Sequence, residues 1–175
     1  MFDFFQEYDR QKKEEGKDDS PYVSSASSFS IQNHEERVFV LSAGGSLFFD
    51  ETPIFDKIRA FCEVLSKLHS LGHKFVLVVG GGKPARSYVE TARDFGANNY
   101  TQDELGIMVT RLNASLFISG LQKAYPSVLT EPKKALRVIN RGMIPVFGGL
   151  LPSFTTDAVA ALIAEAIKAI DNGDS

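Results

Sequence analysis

The sequence predicts an α/β fold, with helices on both faces of a mostly parallel sheet. Three observations predict it. First, apolar runs rich in β-branched and aromatic residues recur at 37–41, 75–79 and 143–147. They lack the alternation of a half-exposed strand, as strands buried on both faces do. Second, each run leads into glycines: Gly44-Gly45, Gly80-Gly81-Gly82 and Gly148-Gly149. Third, apolar residues at helical spacing follow each turn, and such alternation implies parallel strands covered by helices.

Residues 1–36 read as an appendage ahead of a domain at 37–175. Gln11–Ser20 is nearly all polar and Ser24–Ser30 is serine-rich, so the segment cannot bury enough surface to order itself. Phe2, Phe4, Phe5 and Tyr8 can form one amphipathic turn; a loose tail is the competing reading. The first strand, Arg37–Leu41, enters the turn Ser42–Ser46. Ile54, Ile58, Phe61, Cys62, Leu65 and Leu68 then form a core-facing helical stripe, closed by Gly72. The central strand Phe75–Val79 precedes three glycines and a helix facing inward through Tyr88, Val89, Ala92 and Phe95. Thr101 and Glu104 match a capping box, opening a long helix with Leu105, Met108, Val109, Leu112 and Leu116 on one face. Val128-Leu129 is a candidate short strand. Pro132 starts a helix that stops near Gly142, and the strand Met143–Phe147 follows. Ser153 or Thr155 caps the last helix, whose inner face is Val159, Leu162, Ile163, Ala166, Ile167 and Ile170.

Composition narrows the function. The chain has 175 residues, 43% apolar and 23% charged, enough for one domain with a real core. Residues 1–36 hold nine acidic and four basic side chains, a balance of −5 against −3 for the whole chain, so the remainder carries +2. A mildly basic body suits a small anion and is too weak for a nucleic-acid footprint. The single Cys62 excludes an internal disulfide, and His34, His69 and His73 share no metal-ligand spacing. No apolar run approaches a membrane span, and no apolar signal core opens the chain, so a cytoplasmic location is expected.

The stretch Lys74–Arg86 carries the chemistry. A strand, a glycine turn and a helix opened by Pro84 aim N–H groups and a positive dipole end at one point, which suits phosphate. Lys83 and Arg86 add cationic donors. The plain alternative is a tight turn with Arg86 in solvent. Pro84 follows Gly82-Lys83 where a Walker A loop needs Ser or Thr. Gly80, Gly82 and Ala85 do satisfy G-x-G-x-x-A, so a dinucleotide site is a rival; it requires an acidic strand end about 20 residues on. Asp103 has that spacing but sits in the capping box. Three glycine turns at the ligand-binding edge of a sheet, with few titrating groups, suit phosphoryl transfer. The N–H groups of Gly44, Gly45, Gly81 and Gly82 can hold phosphate oxygens, and Arg86 can neutralise developing charge. Asp103 can accept from a ribose, or merely favour the first helical turn. Thr155, Thr156 and Asp157 can serve phosphate and nucleophile, or merely cap a helix.

Val-Leu-Ser-Ala-Gly-Gly-Ser (40–46), Val-Val-Gly-Gly-Gly-Lys-Pro-Ala-Arg (78–86), Asp-Glu-Leu-Gly-Ile-Met-Val-Thr-Arg-Leu-Asn-Ala (103–114) and Pro-Val-Phe-Gly-Gly…Thr-Thr-Asp-Ala-Val-Ala-Ala-Leu (145–162) resemble the amino-acid kinase superfamily, in particular its archaeal-type uridylate (UMP) kinases. The resemblance spans roughly residues 37–170. It implies a three-layer αβα sandwich and transfer of the ATP γ-phosphate to UMP with Mg2+. Gly44, Gly45 and Ser46 would face the ATP phosphates, and Gly82 and Arg86 the phosphate junction. Gly81 and Asp103 would contact UMP, and Leu150, Leu151, Pro152, Ser153, Phe154, Thr155 and Thr156 would wrap it. Asp157 would organise the site. No metal ligand set of the protein's own is expected. A homo-oligomer is implied.

Two departures stand out. Ser42 replaces a residue that is commonly charged, often Lys. The family's following half, with its adenine pocket, has no counterpart after the Thr-Thr-Asp helix. The expectation is therefore an acceptor-binding half that is incomplete alone: a fragment, a split gene product served by a separate C-terminal half, or a degenerate half. The 150–154 loop is also more apolar than usual. A non-catalytic nucleotide-binding or oligomerisation module of the same fold is the alternative.

Overall fold

The computed structural model describes residues 37–171; the expectations for 1–36 lie outside them. Three parallel strands form the sheet, in order β1 (Val38–Ala43), β2 (Lys74–Val79) and β3 (Val146–Phe147). The helices are α1 (Gly45–Phe48), α2 (Phe55–Ser70), α3 (Gly82–Asp94), α4 (Asn99–Gly120), α5 (Lys134–Ile139) and α6 (Thr156–Asp171).

The central strand explains the layering. Side chains alternate across a strand, so Phe75, Leu77 and Val79 enter one core and Val76 and Val78 the other. The first core holds α1, α2 and α4 through Phe48, Ile58, Cys62, Leu65 and Phe117. Phe48, Phe49 and Phe61 meet Phe117 edge-on at centroid distances of 5.1–6.1 Å, and each such pair contributes about 0.5–1.5 kcal/mol beyond burial. The second core holds α5 and α6 through Val138, Ile139, Val159, Ile163 and Ile167. Helices thus cover both faces, as the sequence predicts.

Several elements differ from expectation. β1 continues through Ser42 and Ala43, because both pair in register with Val78 and Val79. β3 is shorter than Met143–Phe147: Pro145 has no N–H to donate, although its carbonyl accepts from Leu77 at 3.0 Å. Leu129 forms only an isolated bridge with Phe147. Gly72 closes α2 as expected; its φ is +95°. Gly72 N–H donates to His69 and His73 N–H to Leu68, the Schellman arrangement.

The long helix α4 begins earlier than predicted. Its N-cap is Asn98, whose Oδ1 accepts the Thr101 N–H at 2.9 Å. Its buried face is also rotated from the expected one. Gln102, Val109, Asn113, Ala114 and Phe117 are buried, while Met108 (58%), Leu112 (71%) and Leu116 (40%) are exposed. On α3 only Ala92 is fully buried; Tyr88 and Phe95 are exposed. The reason is that α3 packs chiefly on α4, not on the sheet, so it needs only a narrow inward face. On α6, Leu162 is exposed and Val159, Ile163 and Ile167 are buried.

Candidate functional site

The first two glycine turns pack backbone to backbone at the C-terminal ends of β1 and β2. A Cβ on Gly45 would lie 2.7 Å from the Gly80 carbonyl carbon and in collision with the Gly82 nitrogen. Gly82 has φ +65°, and a Cβ there would lie 2.7 Å from Gly45 O and 2.8 Å from Phe49 O. Neither position admits a side chain without moving backbone, and Gly82 also occupies the left-handed region that favours glycine. Gly44 lies in open space.

Helix α4 holds the other segments. Thr110 Oγ1 accepts the Gly149 N–H at 2.6 Å, and Arg111 Nε donates to the Gly149 carbonyl at 3.2 Å. Buried Asn113 donates through Nδ2 to Gly80 O at 3.0 Å and Gly81 O at 3.1 Å. Asp103 Oδ2 accepts both the N–H and the hydroxyl of Ser153, at 3.0 and 3.1 Å. Ser153 has φ +64°, so this double hydrogen bond holds a non-glycine residue in left-handed backbone.

These segments line an open cavity of ≈ 320 Å³. Gly81, Gly82, Asp103, Leu151, Pro152, Ser153, Phe154, Thr155 and Thr156, all predicted site residues, line it. Leu150 does not; it packs against the second core. Arg86 and Asp157 are exposed and lie outside the lining, as do Gly44, Gly45 and Ser46. Asp157 Oδ1 accepts the Ser42 hydroxyl at 2.6 Å, joining the end of β1 to the start of α6. Thr155 caps α6, its Oγ1 accepting the Ala158 N–H at 3.2 Å; Ser153 does not cap it.

Sequence reasoning missed Ala85, Val89, Gly106, Ile107, Thr110 and Gly149 in the lining, and Asn113 behind it. The signal was the series Asp103, Gly106-Ile107, Thr110, Asn113, which repeats at helical spacing. Lys83 is not a free donor: its Nζ reaches Asp50 at 3.1 Å and Glu51 at 3.2 Å, and its pKa is raised by those hydrogen bonds. Asp103 lies inside α4 rather than at a strand end, which removes the basis of the dinucleotide rival. Among the described residues no three His, Cys, Asp or Glu side chains gather as a metal site, and no helix is long and apolar enough to cross a membrane.

The uridylate kinase of Thermococcus kodakarensis is 46% identical over 131 residues, spanning 74% of this chain and 58% of its own. That of Methanospirillum hungatei is 48% identical over 129 residues, spanning 72% and 53%. The crystal structure of Archaeoglobus fulgidus uridylate kinase matches with a TM-score of 0.68 at 41% identity, over 75% of this chain and 58% of that one. Ureaplasma parvum UMP kinase shares the fold, with a TM-score of 0.64 at 20% identity. The chain thus spans little more than half the length of the uridylate kinases it matches. The amino acid kinase family model matches residues 37–172, and with the glycine-turn architecture this establishes that the chain belongs to the amino acid kinase family.

Proposed function

We propose that this domain is the acceptor-binding half of a UMP kinase-like phosphotransferase, which passes the γ-phosphate of ATP to UMP. The observation that carries the reading is the convergence of two helix N-termini on one cavity. Gly81 and Gly82 open α3, and Thr155 and Thr156 open α6. Free N–H groups and aligned dipoles at both points favour a phosphate between them. Ala85, Val89, Ile107, Leu151, Pro152 and Phe154 give the same cavity apolar walls for a base. Asp103 keeps Oδ1 for a ribose hydroxyl.

ATP would enter over the turn at Gly44, Gly45 and Ser46, with Gly82 and Arg86 at the junction of donor and acceptor phosphates. Asp157 has Oδ2 uncommitted among the described residues. That fits a Mg2+ ion held mainly by substrate phosphates and water, whose chemistry would be charge neutralisation. The chain's own residues orient UMP. The exposed apolar stripe Met108, Leu112 and Leu116 supports self-association.

Thermal melting tests the reading. UMP raises the melting midpoint by mass action, and by more than ATP does, because the lined cavity is the acceptor's. Stabilisation by ATP without any by UMP would reverse the assignment. A non-catalytic module is favoured by one feature: Ser42, not a cation, holds Asp157.

A further inference from the structure

We propose that Asn113 is a positioning residue that aims the Gly81 and Gly82 N–H groups at the acceptor's phosphate. The inference rests on the acceptor reading above and adds what makes the glycine turn competent for it. Asn113 is 6% exposed and sits on the buried face of α4. Its Nδ2 donates to two successive carbonyls of the turn, Gly80 O at 3.0 Å and Gly81 O at 3.1 Å.

A trans peptide directs its C=O and its N–H to opposite sides of one plane, and the described chain contains no cis bond. Pinning Gly80 O therefore directs the Gly81 N–H away from Asn113, and pinning Gly81 O does the same for the Gly82 N–H. Among the described residues neither N–H finds an acceptor. Both glycines line the cavity. Without the amide, glycine peptides are the ones freest to rotate, since no Cβ restricts them. A rotated peptide would present a carbonyl oxygen, which repels phosphate. The cation Lys83 cannot compensate, because Asp50 and Glu51 hold it.

The role predicts a selective defect. Asn113→Leu keeps the size and removes the donor. In calorimetric titrations of the full chain, its UMP affinity should fall roughly tenfold or more, the scale of a lost charge-assisted contact. Its affinity for uridine, which has no phosphate, should change less than about twofold on the same reasoning. Equal losses for both ligands would mean that Asn113 serves folding alone and would overturn the proposal. Asn113→Asp, which sets an acceptor against two carbonyls, should show the same selectivity.

If neither variant folds, amide NMR of the unaltered protein decides. UMP and inorganic phosphate should shift the Gly81 and Gly82 N–H resonances together with the Asn113 side-chain amide, whereas uridine should not. Movement of the glycine signals without Asn113 sinks the positioning role and leaves the acceptor site standing. No response to UMP or phosphate anywhere removes both.

Discussion

Asp103 and Lys83 change meaning once their neighbours are known. Asp103 anchors the loop that covers the cavity through Ser153, and Lys83 is spent on Asp50 and Glu51. Arg86, by contrast, is exposed one turn into α3 and makes no hydrogen bond or ion pair among the described residues. Arg86→Ala should therefore weaken UMP binding by about 1.5–3 kcal/mol, the range for a hydrogen bond to a charged group. Arg93 donates to Gln102 at 3.3 Å, so Arg93→Ala should lower the melting midpoint and leave UMP affinity unchanged; calorimetry separates the two. Cys62 is 1% exposed, and burial pushes its thiol up to about 11. The thiolate is the reactive form. Iodoacetamide at pH 8 should leave the native protein unmodified and alkylate it fully in denaturant, as mass spectrometry would register; rapid native labelling would contradict the packing of α2.

At the scale of elements, α4 organises the site. One face carries Asp103, Thr110, Arg111 and Asn113 to three separate backbone segments, so the cavity's geometry follows from where this helix starts and how it is rotated. The start depends on Asn98. Asn98→Ala should cost about 0.5–2 kcal/mol in urea unfolding, whereas Thr101→Ala should cost less, since Thr101 contributes its N–H and not its side chain. A larger loss at Thr101 would restore the capping box in place of the observed cap. The opposite face of α4 exposes the apolar residues Met108, Leu112 and Leu116.

At the scale of the molecule, the sheet joins two cores and brings three strand ends to one edge. The described residues line one cleft, the acceptor's on the proposed reading, while the paired turns at Gly44 and Gly45 stand outside its lining. Phosphoryl transfer needs donor and acceptor held in line, and poor orientation of one reactant forfeits up to about 7–11 kcal/mol of barrier lowering. The 175-residue chain alone should therefore bind UMP yet turn over ATP and UMP only near background. An ADP-release assay with Mg2+, with and without a separately supplied C-terminal half of a uridylate kinase, measures this. Several turnovers per second by the lone chain would show that its site is complete.

The order of strands and glycine turns was legible in the sequence because it rests on local rules. A continuous apolar run marks a strand, although only β2 and β3 are buried: β1 lies at the sheet edge, half-covered, with Phe39 45% exposed, contrary to the expectation for 37–41. A strand that ends in glycines must turn there. Also legible were Gly81, Gly82, Asp103, Thr155 and Thr156 in the cavity lining, whereas Leu151, Pro152, Ser153 and Phe154 came from the family resemblance alone. Which face of α4 is buried was not legible. Its apolar stripe through Leu112 and its polar series through Asn113 are both periodic, and periodicity alone cannot say which one meets the sheet. Tertiary packing decided for the series with Asn113, because the carbonyls of Gly80 and Gly81 and the N–H of Gly149, buried or partly buried, needed partners. The same packing took Lys83 away from the site and gave Ser153 to Asp103, contacts across 32 to 50 residues that no local pattern encodes.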